Sequence, residues 1–288
     1  MREPHLIVVG PGRVGLSAAA DASAAGAFSS VSVVGRRPER PDFLSHQPAV
    51  AYLEAHEVVA RAPTVLIVAV PAGRIAAVAE EWAAREDAGS ISTALHTSGV
   101  DRADVLSPLR DRGAVLASWH PLLAMARPEV GAFNGATIGI EGDAAAIDVA
   151  AGLARSVGAR PLRLRSDRKP LYHAAAVFGS NHLVASLAIA ERLLSTSAEE
   201  EAGFDDLLPL ARSALANLAE SGLPGGATGP LARGDLRTIR EHLSTLDPQT
   251  RAVYRALARE LLDRVGERLD GTSRTALGRE LSAPATEP

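Results

Sequence analysis

Residues 10–15 read Gly10-Pro11-Gly12-Arg13-Val14-Gly15, a G-x-G-x-x-G that leaves few folds open to this chain. The apolar run at 6–9 has the character of a buried parallel strand, and a helix rich in small residues follows at once. In that setting each glycine has a task. Gly10 turns the chain off the strand, Gly12 lets the backbone approach a pyrophosphate, and Gly15 lets the helix pack against the sheet. The free N–H groups of the helix start, at Arg13 and Val14, favour phosphate, and Pro11 lies in the same turn. The stretch predicts a dinucleotide-binding α/β domain. The competing reading is a glycine turn that binds nothing.

A second strand at 31–34 ends on Gly35-Arg36-Arg37. An acid at this position bonds the ribose hydroxyls of NAD, whereas arginine suits the 2′-phosphate of NADP. Arg36 and Arg37 are both cations, and a guanidinium grips phosphate through paired hydrogen bonds. NADP is therefore expected over NAD, with a solvated strand end as the alternative. Arginine is the default cation here: Lys169 is the only lysine among 30 Lys and Arg residues.

Residues 47–61 read as a short helical segment, 64–70 as a third strand ending at Pro71, and 72–85 as the next helix. Ligands of doubly wound sheets bind beyond the carboxyl ends of the strands, which puts Val70 and Pro71 beside a nicotinamide or ribose. Strands at 90–95 and 115–118 run into His96-Thr97-Ser98-Gly99 and Trp119-His120-Pro121-Leu122. Histidine is the usual general acid near neutral pH, so His120 and His96 are candidates for contact with substrate or cofactor. Either can instead bond a loop carbonyl. Ser98 is a candidate donor to ribose, phosphate or a substrate carboxylate. Strands at 136–141 and 160–165 enclose a helix at 144–157, and the first domain is expected over residues 1–165.

From 166 onward every periodic segment is helical. One long helix is expected from 171 to about 194, then helices at 204–221, 235–246 and 248–269; residues 166–270 form the second domain and 271–288 a frayed tail. Along the long helix His173 and Ser180 lie about 20° apart and Asn181 about 80° away, a polar stripe among small apolar residues. Such a stripe needs partners, either other core groups or a substrate. Residues 225–235 are rich in glycine and present Thr228, Arg233 and Asp235. Asp235 is a helix cap or a catalytic acid; Arg233 binds a carboxylate or phosphate, or braces the loop.

A hydrophobic content of 47% and a charged content of 22% are those of a soluble globular chain. Net charge is −4 without a basic block, against a nucleic-acid partner. The absence of cysteine removes disulfides, thiolate nucleophiles and Cys-based metal sites, and no metal is expected. No signal peptide or unbroken apolar span is read, so a cytoplasmic protein away from membranes is expected.

Taken together, the glycine motif, His96-Thr97-Ser98-Gly99, His120-Pro121-Leu122, residues 171–181 (LYHAAAVFGSN) and 228–235 (TGPLARGD) with Thr238 and His242-Leu243 resemble one family. It is the bacterial Rossmann-like proteins that carry DUF2520, and the resemblance runs from residue 5 to 262. That family is similar to ketopantoate reductase, prephenate dehydrogenase, pyrroline-5-carboxylate reductase and the F420-dependent NADP reductases. The resemblance implies a Rossmann-type doubly wound parallel sheet that binds NADP. It further implies an all-α C-terminal domain like that of 6-phosphogluconate dehydrogenase, a site in the cleft between them, and a homodimer. Ketopantoate reductases use a lysine four residues before the helix asparagine. Here Val177 holds that place and Lys169 lies twelve before Asn181, so the lysine mechanism does not carry over. His173, or else His120, is then expected to donate the proton, Asn181 to orient the substrate and Arg233 to pair with its carboxylate. His120-Pro121 is similar to the His-Pro of prephenate dehydrogenases. The expected activity is NADP(H)-dependent oxidoreduction of a small keto or hydroxy acid, ketopantoate-type first. An imine reductase, an F420-dependent NADP reductase and a non-catalytic NADP sensor are the alternatives.

Overall fold

The computed structural model describes residues 3–282. Two compact units divide the chain, Met1–Ser180 and Asn181–Pro288. The first carries strands β1 (His5–Val9), β2 (Ser30–Gly35), β3 (Val50–Glu54), β4 (Thr64–Val68), β5 (Ile91–His96), β6 (Val115–Pro121), β7 (Thr137–Gly142) and β8 (Arg160–Arg163). Helices α1 (Arg13–Ala24), α2 (Asp42–Ser45), α3 (Ile75–Ala83), α4 (Ser107–Arg110), α5 (Ala144–Ser156) and α6 (Lys169–Gly179) accompany them. The strands form one sheet in the order β3-β2-β1-β4-β5-β6-β7-β8. Through β6 all pairs are parallel; β7 runs antiparallel to β6, and β8 parallel to β7.

The central strands are apolar on both sides because both faces are covered. Leu6, Val8, Val33 and Trp119 pack on the face of α1 and α5. Ile7, Val9, Leu66 and Val68 pack on the face of α3 and α4. In-register neighbours share a face, so Val34, Val9, Val68, His96, Ser118 and Glu141 form one row across six strands. The row is apolar beneath the glycine motif and turns polar over β5, β6 and β7.

The second unit is helical: α7 (Asn181–Ser197), α8 (Phe204–Gly225), α9 (Leu236–Thr245), α10 (Pro248–Val265) and α11 (Gly271–Ser282). Its core holds Leu231, Ile239, Leu243, Leu262, Leu277 and Leu281. Asp235 and Asp247 cap α9 and α10 by accepting from Thr238 N and Thr250 N. Helical geometry in α8 breaks at Gly222, whose φ of 62° is left-handed.

Four expectations change. Residues 50–54 are an edge strand rather than helix: Val50 is buried, and the Tyr52 hydroxyl donates to Arg37 O at 2.8 Å, tying the edge to the end of β2. The long helix is two helices that break at Ser180 (φ −129°, ψ −75°). The Ser180 hydroxyl donates back to Ala176 O at 2.7 Å, a bond that competes with the helix ladder. The compact units therefore divide within the helical stretch, not at 165. Residues 271–282 are helical rather than frayed, because Leu277 and Leu281 are buried; the rest of the expected tail, 283–288, lies outside the described residues. By length and hydropathy alone, the helical stretch Ser166–Ser197 is long and apolar enough to cross a membrane.

Candidate functional site

The glycine motif sits where β1 gives way to α1. Gly10 has φ +112°, and a Cβ there would collide with the Ala69 carbonyl; one on Gly15 would collide with Gly10 O. These two glycines are demanded by the chain's own packing. Gly12 differs, since a Cβ there would meet no protein atom within 4 Å. Its bare backbone faces open space at the uncapped start of α1. A pocket of ≈ 870 Å³ opens at this point. Gly10, Pro11, Gly12, Arg36, Arg37, Val70 and Pro71 line it, as do Arg74, Tyr52 and Glu39. The volume and the donor set fit a nucleotide: backbone N–H groups for a pyrophosphate and exposed guanidiniums for a further phosphate.

Three details qualify this half. Arg13 turns from the pocket, donating to Met125 O at 2.9 Å, and so holds the segment after β6 to α1. Arg40 is spent inside the protein, on the carbonyls of Leu44, Gln47 and Val50. Arg74 adds a cation that the sequence reading passed over, because 72–85 reads as an undivided helix; it pairs with Glu81 at 3.7 Å.

The polar half of the row lies at the same carboxyl edge of the sheet. His96 is fully buried, and its Nδ1 accepts from Ser98 N at 3.1 Å. Burial first, then the charge of Lys169, pushes its pKa down to about 3. Ser98 does not reach outward. Its hydroxyl donates to Asp101 Oδ2 at 2.8 Å and accepts from Asp101 N at 3.1 Å, closing the turn after β5. His96 and Ser98 thus shape the loop that carries Gly99.

His120 lies two residues beyond Ser118, on the same face of β6. Its Nδ1 is 2.9 Å from the Tyr172 hydroxyl, and the two rings meet edge to face at 5.5 Å. Tyr172 gets this close because Gly139 on β7, the partner of His120, has no side chain where the phenol sits. The His173 ring meets His120 at 5.8 Å, nearly perpendicular. A Cβ on Gly99 would run into His173 Nδ1 and come within 2.8 Å of His120 Nε2. Both imidazoles therefore turn a nitrogen toward this bare turn. His173 Nδ1 is buried with no hydrogen-bond partner in the protein. Burial, His173 and Lys169 lower the His120 pKa to about 4, and burial raises Tyr172 to about 12. The same hydroxyl lies 3.5 Å from His120 O; with Nδ1 as acceptor from the phenol, the His120 proton sits on Nε2, facing Gly99.

Beneath this group lies an ion pair that the sequence reading missed. Lys169 Nζ, fully buried, is 3.3 Å from Glu141 Oε1. Glu141 also accepts from Ala103 N and from the Ser166 hydroxyl, both at 2.8 Å. The distance of Lys169 from Asn181 along the chain carries no sign of this contact. The in-register row places the lysine's partner Glu141 beside Ser118, two strands from His96.

His96, Ser98, His120 and His173 therefore come together, within the unit that carries the glycine motif, Arg36 and Arg37. Asn181 and Arg233 belong to the second unit. Arg233 is exposed there, and Asp235 is committed to its cap, with its carboxylate also accepting from Thr238 Oγ1 at 2.7 Å. The stripe that joined His173 to Asn181 assumed one unbroken helix axis, and the break at Ser180 falls between them.

Comparison with known proteins adds two matches. Residues 2–121 match a family described as Rossmann-like domain, and residues 136–261 match the domain of unknown function DUF2520. No curated protein matches the sequence. Among solved structures, the candidate NADP oxidoreductase BF3122 of Bacteroides fragilis is 22% identical over 91% of this chain and 99% of its own, with a TM-score of 0.70. Protein TM1727 of Thermotoga maritima is 20% identical with the same coverage and a TM-score of 0.72. A pyrroline-5-carboxylate reductase of Coxiella burnetii is 14% identical over 98% of this chain and all of its own, at 0.57. At these identities the likeness is one of fold, a Rossmann-type sheet followed by helices.

Proposed function

We propose that this chain, which belongs to the proteins that join a Rossmann-like domain to DUF2520, is an NADP(H)-dependent oxidoreductase acting on a small carbonyl or hydroxy acid. One observation carries the reading: the phosphate-binding turn with its arginines and the paired histidines sit at one carboxyl edge of one sheet, where ligands of such sheets bind. The names of similarly folded proteins, an NADP oxidoreductase and a pyrroline-5-carboxylate reductase, point the same way.

In this reading the uncapped start of α1 and Gly12 hold the pyrophosphate, and Arg36 and Arg37 hold the 2′-phosphate. Val70 and Pro71 flank the nicotinamide half. When bound, the nicotinamide supplies or accepts the hydride. The chain's own residues manage the proton. As negative charge develops on the substrate oxygen, a donor has to meet it. His173 and His120 both face the Gly99 turn. His120 is held by Tyr172 with its proton on Nε2, and His173 supplies the second imidazole.

A second copy of the chain completes the assembly in this reading. In the second unit α7 and α8 leave Val184 and Leu210 each 66% exposed, with Leu215 at 53%. Exposed apolar side chains in such number mark a surface that another protein covers. Light scattering of the purified protein is expected to give a dimer mass.

The catalytic reading is tested by following NADPH oxidation with a panel of 2-keto acids and, in parallel, of cyclic imines. Keto-acid turnover supports the reading, and imine turnover moves it to the reductases of pyrroline type. His120→Ala and His173→Ala should each abolish turnover while NADPH affinity stays within about threefold. A folded double variant that still turns over would overturn the assignment.

A further inference from the structure

The strand order puts β2 on one side of β1 and β4 on the other, so the chain leaves this edge of the sheet at three neighbouring points. The glycine motif follows β1, Arg36 and Arg37 follow β2, and the turn Ala72–Arg74 follows β4 and leads straight into α3. The pocket of ≈ 870 Å³ thus has cations on both flanks of the glycine motif, Arg36 and Arg37 on one and Arg74 on the other.

Arg74 shares its flank with an acid. Arg74, Val78, Glu81 and Trp82 all line the pocket, and their spacing puts them on one helical face. Val78 and Trp82 are buried, whereas the side chains of Arg74 and Glu81 stay 57% and 64% exposed, 3.7 Å apart. Neighbouring arginines are committed to the protein: Arg13 to Met125 O, Arg40 to the carbonyls of Leu44, Gln47 and Val50, and Arg85 to Asp87, Ala55 O and Val58 O. Among the described residues the Arg74 guanidinium is engaged by Glu81 alone, in an exposed pair of a kind that contributes little. Its own helix does not account for it either, because a cation at a helix start opposes the dipole.

We infer that Arg74 is a specificity-determining residue: with Arg36 and Arg37 it takes the 2′-phosphate of the dinucleotide, and Glu81 competes with that phosphate for its guanidinium. The inference rests on the proposed cofactor reading. A phosphate offers an arginine more charge and more acceptor oxygens than a carboxylate does, so the weak pair gives way when the nucleotide enters. Arg36 and Arg37 supply the seat and Arg74 closes it from the β4 side; without that seat Arg74 stays on Glu81. A nucleotide with a free 2′-hydroxyl has nothing to draw the arginine from its acid.

The experiment is a calorimetric titration of the full chain with adenosine 2′,5′-bisphosphate and with adenosine 5′-monophosphate, at low salt, where exposed charges are least screened. The two differ only in the 2′-phosphate and need neither nicotinamide nor substrate. The wild type should bind the bisphosphate at least about tenfold more tightly. Arg74→Gln should lower bisphosphate affinity about fivefold or more and leave the monophosphate within about twofold. Glu81→Gln should raise bisphosphate affinity about two- to threefold, and that gain should vanish in Arg74→Gln/Glu81→Gln. A merely structural role for Arg74 would weaken both nucleotides alike. That result, or a Glu81→Gln gain that persists without Arg74, would overturn the inference. A wild-type preference that Arg74→Gln leaves intact would also overturn it, with Arg36 and Arg37 remaining as the phosphate site. A wild type that binds neither nucleotide, or both equally, would remove the inference together with the NADP reading.

Discussion

Lowering the pH from about 7 to about 5 should destabilise the first unit, and two histidines set the size of the effect. His96 is fully buried, its pKa pushed down to about 3 by burial and then by Lys169. His120 is pushed down to about 4 by burial, His173 and Lys169. In the unfolded chain both return to about 6.5. Between the folded and unfolded values the unfolded chain binds the proton and the native chain does not. Stability is therefore fully present above about pH 6.5 and is lost as the pH falls, by about 1.4 kcal/mol per pH unit for each histidine. By about pH 5 the loss is about 2 kcal/mol each, about 4 kcal/mol for the two. His5, lowered by burial and Arg61, acts with the same sign, so variants are needed to apportion the slope. Carboxylates held low by partners, such as Asp87 beside Arg85, titrate below this window and do not contribute. Urea unfolding at several pH values measures the slope in the wild type, His96→Gln and His120→Asn. Each variant should lose about 1 kcal/mol per pH unit of it. Stability that is flat or rises on acidification, or a slope that neither variant reduces, would refute the reasoning.

Other perturbations test separate parts of the structure. Gly99→Ala places a Cβ against His173 Nδ1 and 2.8 Å from His120 Nε2. It should cost about 1–3 kcal/mol in urea unfolding and leave NADPH affinity unchanged, since the glycine motif follows a different strand. Gly35→Asp puts an acid at the end of β2 but should not create NADH binding, because Tyr52 Cζ lies 2.6 Å from the added Cβ. Gly35→Asp with Tyr52→Ala should raise NADH affinity in a fluorescence titration. Leu277→Ala should cost the helical unit about 2–5 kcal/mol, as burial in its core requires. A loss below about 0.5 kcal/mol would return residues 271–282 to the status of a tail.

Much of this architecture is readable in the chain because local signals and burial agree. The strands at 6–9, 31–34 and 64–70 are apolar runs bounded by glycine or proline, and helices cover both faces of the sheet they form. β3 escaped because Val50–Glu54 is a short edge strand with one buried side chain, too little for a period to emerge. The break at Ser180 escaped because a serine bonding back to i−4 leaves no mark in hydrophobic periodicity. The site divides in the same way. His120 and the glycine motif are visible from their places at strand ends. The approach of Tyr172 to His120 depends on Gly139 making room, and His120 meets His173, and Lys169 meets Glu141, only through the packing of α6 on the sheet. Those are contacts between residues 28 to 53 positions apart, which spacing along the chain does not encode.

The central claim is that this sheet edge holds a nicotinamide dinucleotide phosphate. Its most direct test is a parallel titration of the purified protein with NADPH and NADH, followed by nicotinamide fluorescence, repeated on Arg36→Ala/Arg37→Ala. NADPH should bind at least about tenfold more tightly than NADH, and the double variant should lose that preference, since a charge-assisted hydrogen bond contributes about 1.5–3 kcal/mol. Equal affinities would remove the role given to the arginines. Binding of neither cofactor would contradict the account at its root.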